Sequence, residues 1–356
     1  MDYKLGELVH IFATDKCNQN CKPCFREFFS SDKPRDLVKV AKILTENKVK
    51  KAIIGGGEPT LIKNLNKVLR IFRDADIPVD LHTNGTTLSY KRLEQLEDLV
   101  DVLGLPIDSL DSRIQSRIRA PGHLKQIKKV IQNAQKFDYK LEYHTVATAI
   151  NVDGVPKLYS GFIKNTDYQL WNIYQFNVNL AMLSTFQGKY SEEQKIKRIK
   201  EIQELRGPIN HEKGLSDGLL AKFLLMEEKI KNKYSNDDRI QFVDLQNSRS
   251  PYFFVNSTGD VEFYTWFSQK RTKVADLFED DFKDVIKKLH KANKMSWRFD
   301  QEDFVEAITN LPIFARLYEG NYSSDEIEII KPQCHRKVKH LANLWEIKRY
   351  GQPMTV

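Results

Sequence analysis

The chain is short of cysteine and has no long apolar run. Four Cys among 356 residues cannot build a disulfide scaffold. A chain of this length buries about three quarters of its unfolded surface without one. The most apolar run, Gly218 to Met226, is broken by Lys222 and falls short of the ~18 residues of a membrane helix. Asp2 and Glu7 stand where a secretory signal would need an apolar core. No segment repeats, none is of low complexity, and no Pro/Gly linker divides the chain. These absences predict a soluble, cytoplasmic protein with no membrane partner.

What is present is a globular mixture, 41% hydrophobic and 29% charged, long enough for two domains or for one with an extension. The net charge of +8 is of a size to attract a nucleotide, a nucleic acid or a phosphorylated metabolite. Most Lys residues, however, are spaced among Glu and Asp as on a solvated helix face. No basic block is interleaved with aromatics in the manner of nucleic-acid readers.

Apolar periodicity predicts strands at 8–13, 51–54, 78–82, 102–107, 141–149 and 169–176. Helical spacing falls between them, at 36–47, 64–74, 90–99, 123–137 and 156–163. Such alternation implies βαβ units, a parallel sheet and right-handed crossovers. After about residue 185 the pattern changes. Charged helices are expected at 192–205 and 215–233, and a hairpin over 251–267 that turns at Asn256-Ser257-Thr258-Gly259. Further helices are expected at 282–292 and 302–318. The reading is α/β: a core over 1–185 and an α+β extension over 186–356 packed on it.

Three of the four Cys fall within eight residues. Cys17, Cys21 and Cys24 follow the first strand at CxxxCxxC spacing, and Cys334 stands alone as a structural thiol. Three thiolates on one loop select zinc or an iron–sulfur cluster over hard cations. A closed zinc site wants a fourth ligand, and no His or Cys occurs in the 50 residues after Cys24. A [4Fe–4S] cluster on three Cys instead leaves one iron open to an exogenous ligand.

The segment Cys17-Asn18-Gln19-Asn20-Cys21-Lys22-Pro23-Cys24-Phe25, with Gly55-Gly56-Gly57-Glu58-Pro59 after the second strand, resembles the radical S-adenosylmethionine (SAM) superfamily. The resemblance covers about residues 8 to 180 and implies a partial (β/α)6 barrel. It implies a [4Fe–4S] cluster on Cys17, Cys21 and Cys24, with SAM chelated at the open iron. Gly56, Gly57, Glu58 and Pro59 would border SAM, the glycines admitting a ligand close to the backbone and Glu58 accepting from the methionine ammonium. Phe25 would touch the adenine. Asn84, Ser109 and Thr145, at strand ends where such sheets gather ligands, would reach the methionine carboxylate or the ribose. Asn84-Gly85 reads equally as a turn, and Asp108-Ser109 as a helix cap. The implied activity is reductive cleavage of SAM to a 5′-deoxyadenosyl radical that takes hydrogen from a substrate. An external flavodoxin- or ferredoxin-type donor would supply the electron.

Within that superfamily, Val102–Arg119 and Leu170–Phe176 look like segments of viperin-like nucleotide dehydratases, which implies a small, nucleotide-like substrate. Arg117 and Arg119 would then hold its phosphates. Two other readings stay open: modification of a peptide or tRNA docked on the basic C-terminal half, and a non-enzymatic iron–sulfur or zinc protein, which has no use for a Gly-Gly-Glu-Pro turn. His10, His82 and His144 are expected to be satisfied core residues in a barrel lined with apolar side chains.

Overall fold

Alternation of buried and half-buried residues governs the first strand, β1 (Leu8–Thr14). Val9, Ile11 and Ala13 are buried on one face, while His10, Phe12 and Thr14 look the other way, the two-residue period of a pleated strand. The computed structural model describes residues 4–24, 36–176, 191–206, 218–243, 252–265 and 270–299. Phe25, Cys334 and the helix expected at 302–318 lie outside the described residues.

Helix α1 (Leu37–Glu46) is capped by Asp36, which accepts from the Lys39 amide at 2.9 Å, and buries Leu37, Val40, Ala41 and Leu44. The units then repeat: β2 (Lys51–Gly56), α2 (Leu65–Arg73), β3 (Val79–His82), α3 (Tyr90–Leu96), β4 (Val102–Pro106). Two helices follow, α4 (Ser112–Ile118) and α5 (His123–Ala134), then β5 (Lys140–Ala147), α6 (Val155–Gly161) and β6 (Leu170–Gln175). Strands β1 to β6 pair in sequence order and all in parallel. This is the expected partial barrel. Its outward side chains, among them Leu81, Leu103, Leu105, Tyr143 and Trp171, meet the helices in one core.

Helix α4 escapes the periodicity reading because seven residues offer only Ile114 and Ile118 as an apolar pair. Its cap is Asp111, which accepts from the amides of Arg113 and Ile114, and not Asp108.

The later residues contribute α7 (Glu192–Arg206), α8 (Gly218–Lys233), β7 (Ile240–Val243), β8 (Tyr252–Asn256), β9 (Asp260–Thr265), β10 (Lys270–Asp276) and α9 (Phe282–Phe299). The hairpin is where the sequence places it, as β8 and β9, joined by a turn with Gly259 at φ +83. Its position is not foreseen. Strand β8 pairs in parallel with β1, Leu8 beside Tyr252 through Phe12 beside Asn256. Strand β7 pairs in parallel with β6 at the opposite edge. The C-terminal strands therefore extend the same sheet on both sides, in the order β10-β9-β8-β1-β2-β3-β4-β5-β6-β7. Strands β7 and β10 were hidden by shortness and by charge, since Lys-Arg-Thr-Lys-Val-Ala-Asp offers little apolar alternation. Among the described residues no helix is long and apolar enough to cross a membrane.

Phe253 is fully buried on β8, inside the core shared with Val9 and Ile11. Phe253→Ala should cost about 3–5 kcal/mol of stability. Because the sheet is continuous, urea unfolding followed by circular dichroism and by tryptophan fluorescence should shift as one transition. Two separated transitions would show that β8 to β10 unfold on their own.

Candidate cofactor site at the ends of the first strands

The loop carrying the cysteines leaves β1 and lies against the glycine turn that leaves β2. The β1–β2 ladder continues past the strands: Gly57 donates to the Thr14 carbonyl at 2.6 Å and Glu58 to the Lys16 carbonyl at 2.8 Å. Gly56 has φ +114, and a Cβ there would press on Thr14, while one on Gly57 would overlap the Lys16 carbonyl. These glycines are thus required by the chain's own cysteine loop, which occupies the space the sequence reading assigned to a ligand.

Glu58 is fully buried. One carboxylate oxygen accepts from the Thr60 amide at 3.0 Å, the Thr60 hydroxyl, and the Thr83 hydroxyl at 2.6 Å. The other accepts from the Asn84 amide at 2.7 Å. Glu58 therefore ties the end of β2 to the end of β3, with capacity for one further donor on the second oxygen. Pro59 is buried and opens the short turn behind it. The Asn84 side chain reaches the cysteine loop, donating to Asn18 Oδ1 at 2.9 Å and toward Cys17 Sγ at 3.6 Å.

The loop itself is braced from three sides. Lys22 donates its amide to Ile118 at the end of α4. Arg198 of α7 donates to the carbonyls of Lys22 at 2.7 Å and Cys24 at 3.0 Å. Glu204, also on α7, pairs with Lys22 and with Arg117, each at 2.5 Å. Arg117 is therefore a half-exposed strut to α7, its guanidinium engaged by Glu204 and not by the barrel interior.

Arg119 is engaged within the protein. It pairs with Asp108 through two bonds, 2.7 and 3.2 Å, with Asp108 fully buried. Burial opposes the guanidinium charge, but Asp108 and the neighbouring Cys21 outweigh it and hold Arg119 more firmly protonated than usual. Burial pushes the Cys21 thiol up, and Arg119 pulls it back down. A buried thiol beside a fixed cation suits a thiolate ligand.

Ser109 closes the turn before α4: its hydroxyl accepts from the amide of the capping Asp111 at 3.1 Å. Thr145 faces the helices. Its hydroxyl donates to the Ile107 carbonyl at 2.5 Å and accepts from Trp171 Nε1 at 2.9 Å. With His144 turned inward, the strand period sends Thr145 outward, so the two cannot share the interior.

Sequence reasoning missed a chain of bonds that positions Asn84. Gln115 accepts from the amides of Asp108 and Ser109 at 3.0 and 2.9 Å. Its amide nitrogen lies 2.9 Å from His123 Nδ1, and His123 Nε2 lies 3.2 Å from the Asn84 carbonyl. Gln115 must donate, so His123 donates to Asn84 and is neutral. Burial and the Arg119 charge lower its pKa to about 4.

The barrel interior overturns the apolar expectation. Its inward positions carry Lys51, Asp80, His82, Glu142, His144, Asn172 and Tyr174 beside His10 and Phe12. Lys51 pairs with Asp80 at 2.6 Å, and Asn172 donates to Glu142. Nε2 of His82 and of His144 are buried with no hydrogen-bond partner, so these two are not satisfied core residues. Burial lowers His10 to about 3 and His82 to about 4, depresses His144 well below its usual value, and raises Glu142 to about 7. The sequence signal was there: a polar residue at every second position in Asp80-Leu81-His82 and Glu142-Tyr143-His144.

Residues 11–157 match the family described as the Radical SAM superfamily. This segment is a radical SAM domain. The chain is 31% identical over 153 residues to a probable GTP 3′,8-cyclase of Pyrococcus abyssi, covering 41% of this chain and 50% of that protein. It is 30% identical over 138 residues to an S-adenosylmethionine-dependent nucleotide dehydratase of a Thermoplasmatales archaeon, covering 38% of this chain and 49% of that one. The chain thus spans about half the length of these curated relatives. In fold it is similar to native anSMEcpe with bound AdoMet and a Cp18Cys peptide, at a TM-score of 0.59 and 19% identity over 81% of this chain and 82% of that one. Streptococcus suis SuiB bound to S-adenosylmethionine gives 0.58 at 15% identity over 80% and 65%. Radical SAM proteins use a [4Fe–4S] cluster and SAM. The site here fits that pair in its donor set: three thiols on one braced loop, a guanidinium beside the buried one, and a carboxylate oxygen with capacity left at Glu58.

Arg198 braces the radical SAM domain from α7, so Arg198→Ala should speed iron loss to a chelator several-fold in the reconstituted protein, with the circular dichroism spectrum unchanged. An unaltered rate would remove α7 from the cluster's support.

His123 generates a pH dependence. Between its ordinary pKa of 6.5 and about 4, the unfolded chain binds a proton that the folded chain refuses. Its contribution is complete above pH 6.5 and is lost as pH falls through that window, about 1–2 kcal/mol of it by pH 5. His123→Gln should accordingly narrow the gap between urea midpoints at pH 7.5 and pH 5. A gap as wide as wild type would show that His123 titrates normally.

Proposed function

We propose that this chain is a radical SAM enzyme acting, inside its barrel, on a small polar substrate of the nucleotide class. The observation that carries the reading is the cysteine loop seated over a barrel interior lined with hydrogen-bonding side chains. Such groups cost free energy when buried unpaired, and a substrate with donors and acceptors of its own compensates them. The relatives named for GTP and for nucleotides support the class. A peptide or tRNA substrate is the competing reading.

Cys17, Cys21 and Cys24 would hold the cluster. Gly56, Gly57, Glu58 and Pro59 shape the turn that borders SAM, with the second oxygen of Glu58 toward the ammonium. Asn84, positioned by His123, stands between that turn and Cys17. Ser109 would meet the ribose, and the resemblance assigns the adenine to Phe25, which lies outside the described residues. When bound, cluster and SAM supply a one-electron cleavage and a radical that abstracts hydrogen, the electron coming from an external flavodoxin- or ferredoxin-type donor. The protein orients the reactants and excludes competing hydrogen donors. The buried Asp108–Arg119 pair keeps a fixed positive charge beside Cys21, and the inward side chains align the substrate.

Anaerobically reconstituted protein should hold about four iron and four sulfide per chain. With SAM, a reductant and a panel of nucleoside di- and triphosphates, at least one nucleotide should accelerate 5′-deoxyadenosine formation. Cys17→Ala, Cys21→Ala and Cys24→Ala should each abolish both properties. Bound zinc without iron–sulfur absorbance would sink the cluster. A normal cluster with no nucleotide-dependent rate would sink the substrate class and turn the search to peptides and tRNA.

A further inference from the structure

Three ligand atoms converge inside the barrel without being used by the cofactor site. His82 ends β3, Glu142 and His144 alternate on β5, and all three face inward. One nitrogen of each imidazole and one carboxylate oxygen lie within 4.8 Å of one another. His144 Nε2 stands 3.5 Å from Glu142 and, like His82 Nε2, has no hydrogen-bond partner. Strand β4 runs between them, with Gly104 in register beside both His82 and Glu142. A Cβ at Gly104 would stand 2.8 Å from His144 Nε2 and 2.5 Å from His82 Cδ2. Glycine weakens a strand interior, and here it is what lets two imidazoles meet across β4. The Tyr174 hydroxyl lies 3.3 Å from His144 Nδ1, the kind of contact that orients a ligating ring and leaves Nε2 to face inward. Asp80, with a buried unpartnered oxygen, adds a second carboxylate to this layer against the single ammonium of Lys51.

We infer that His82, Glu142 and His144 bind a first-row divalent cation, zinc foremost. Two imidazoles and one carboxylate form a borderline donor set suited to such ions, whereas magnesium and calcium take oxygen ligands. Three protein ligands leave a coordination position for water or a substrate oxygen. The site lies one residue deeper than Thr83, whose hydroxyl holds Glu58, and so on the interior side of the SAM border. It contains no thiol and is separate from the cysteine loop. The inference stands whether or not the substrate is a nucleotide.

The test uses the full chain with its cluster reconstituted, stripped of loose metal by a chelator and titrated with Zn2+ alone. Metal analysis after gel filtration should find about one zinc per chain beside the iron, and zinc-edge X-ray absorption should show nitrogen and oxygen scatterers at about 2.0–2.1 Å and no sulfur. His82→Gln and Glu142→Gln should each weaken zinc binding at least tenfold, and His82→Ala with His144→Ala should abolish it. The Cys17, Cys21, Cys24 triple Ala variant should keep the zinc while losing the iron. Wild-type protein that retains no zinc, zinc with sulfur scatterers, or zinc undiminished in the double His variant overturns the site. If the double variant fails to fold, the wild-type absorption spectrum decides alone. Iron and sulfide content, measured on the same samples, reports separately on the cluster.

Discussion

The buried pair of Asp108 and Arg119 is the contact on which the site's geometry depends. Asp108 has no exposure, so its charge must be met within the protein, and a two-bonded guanidinium meets it. The same carboxylate accepts from the Val146 amide on β5 at 2.9 Å, and its backbone is held by Gln115 and Asn151. One residue thereby joins the end of β4, the end of β5, the segment after α4, and Cys21. A buried pair of this kind adds little net stability over an apolar alternative, but losing one partner leaves an unmet charge, which is costly. Its effect is to fix where the pieces sit.

A second order of structure comes from the pleat. Outward side chains build the apolar core that pays the entropy of folding; inward ones are polar and only partly satisfied among themselves. Such a layer is a poor way to stabilise a barrel. Neutral histidines and carboxylates of raised pKa are what burial makes of titratable groups that share the Lys51 ammonium, and that cluster of perturbed groups marks the interior as the place where chemistry or binding occurs.

Much of this was legible in the residues. The strand and helix order came from periodicity, and the cysteine spacing with the glycine turn carried the resemblance that implied the cofactor. The roles of single side chains were not legible, and the reasons are geometric. Thr145 and His144 are neighbours in sequence and opposites in space. Arg117 and Arg119 both follow β4, yet one meets Glu204, nearly ninety positions later, and the other turns back to Asp108. Gln115 and His123 act through bonds to backbone atoms that no pattern of residue types encodes. The place of β8 beside β1 is the largest omission, because pairing between the start of the chain and residues 252–256 leaves no local trace.

That pairing sets an order for biogenesis. Strand β1 lies between β2 and β8, and its second edge has no partner until Tyr252–Asn256 has been made. At about 5–20 residues per second, the ribosome takes on the order of ten seconds or more to add the intervening chain. Throughout that interval β1 offers an open edge, the sort that invites pairing with foreign strands, and it is the strand that leads into the three cysteines. Helix α7, whose Arg198 closes over that loop, is also late. The cradle of the cysteine loop is therefore complete only once Tyr252–Asn256 has joined β1 and α7 has closed over the loop.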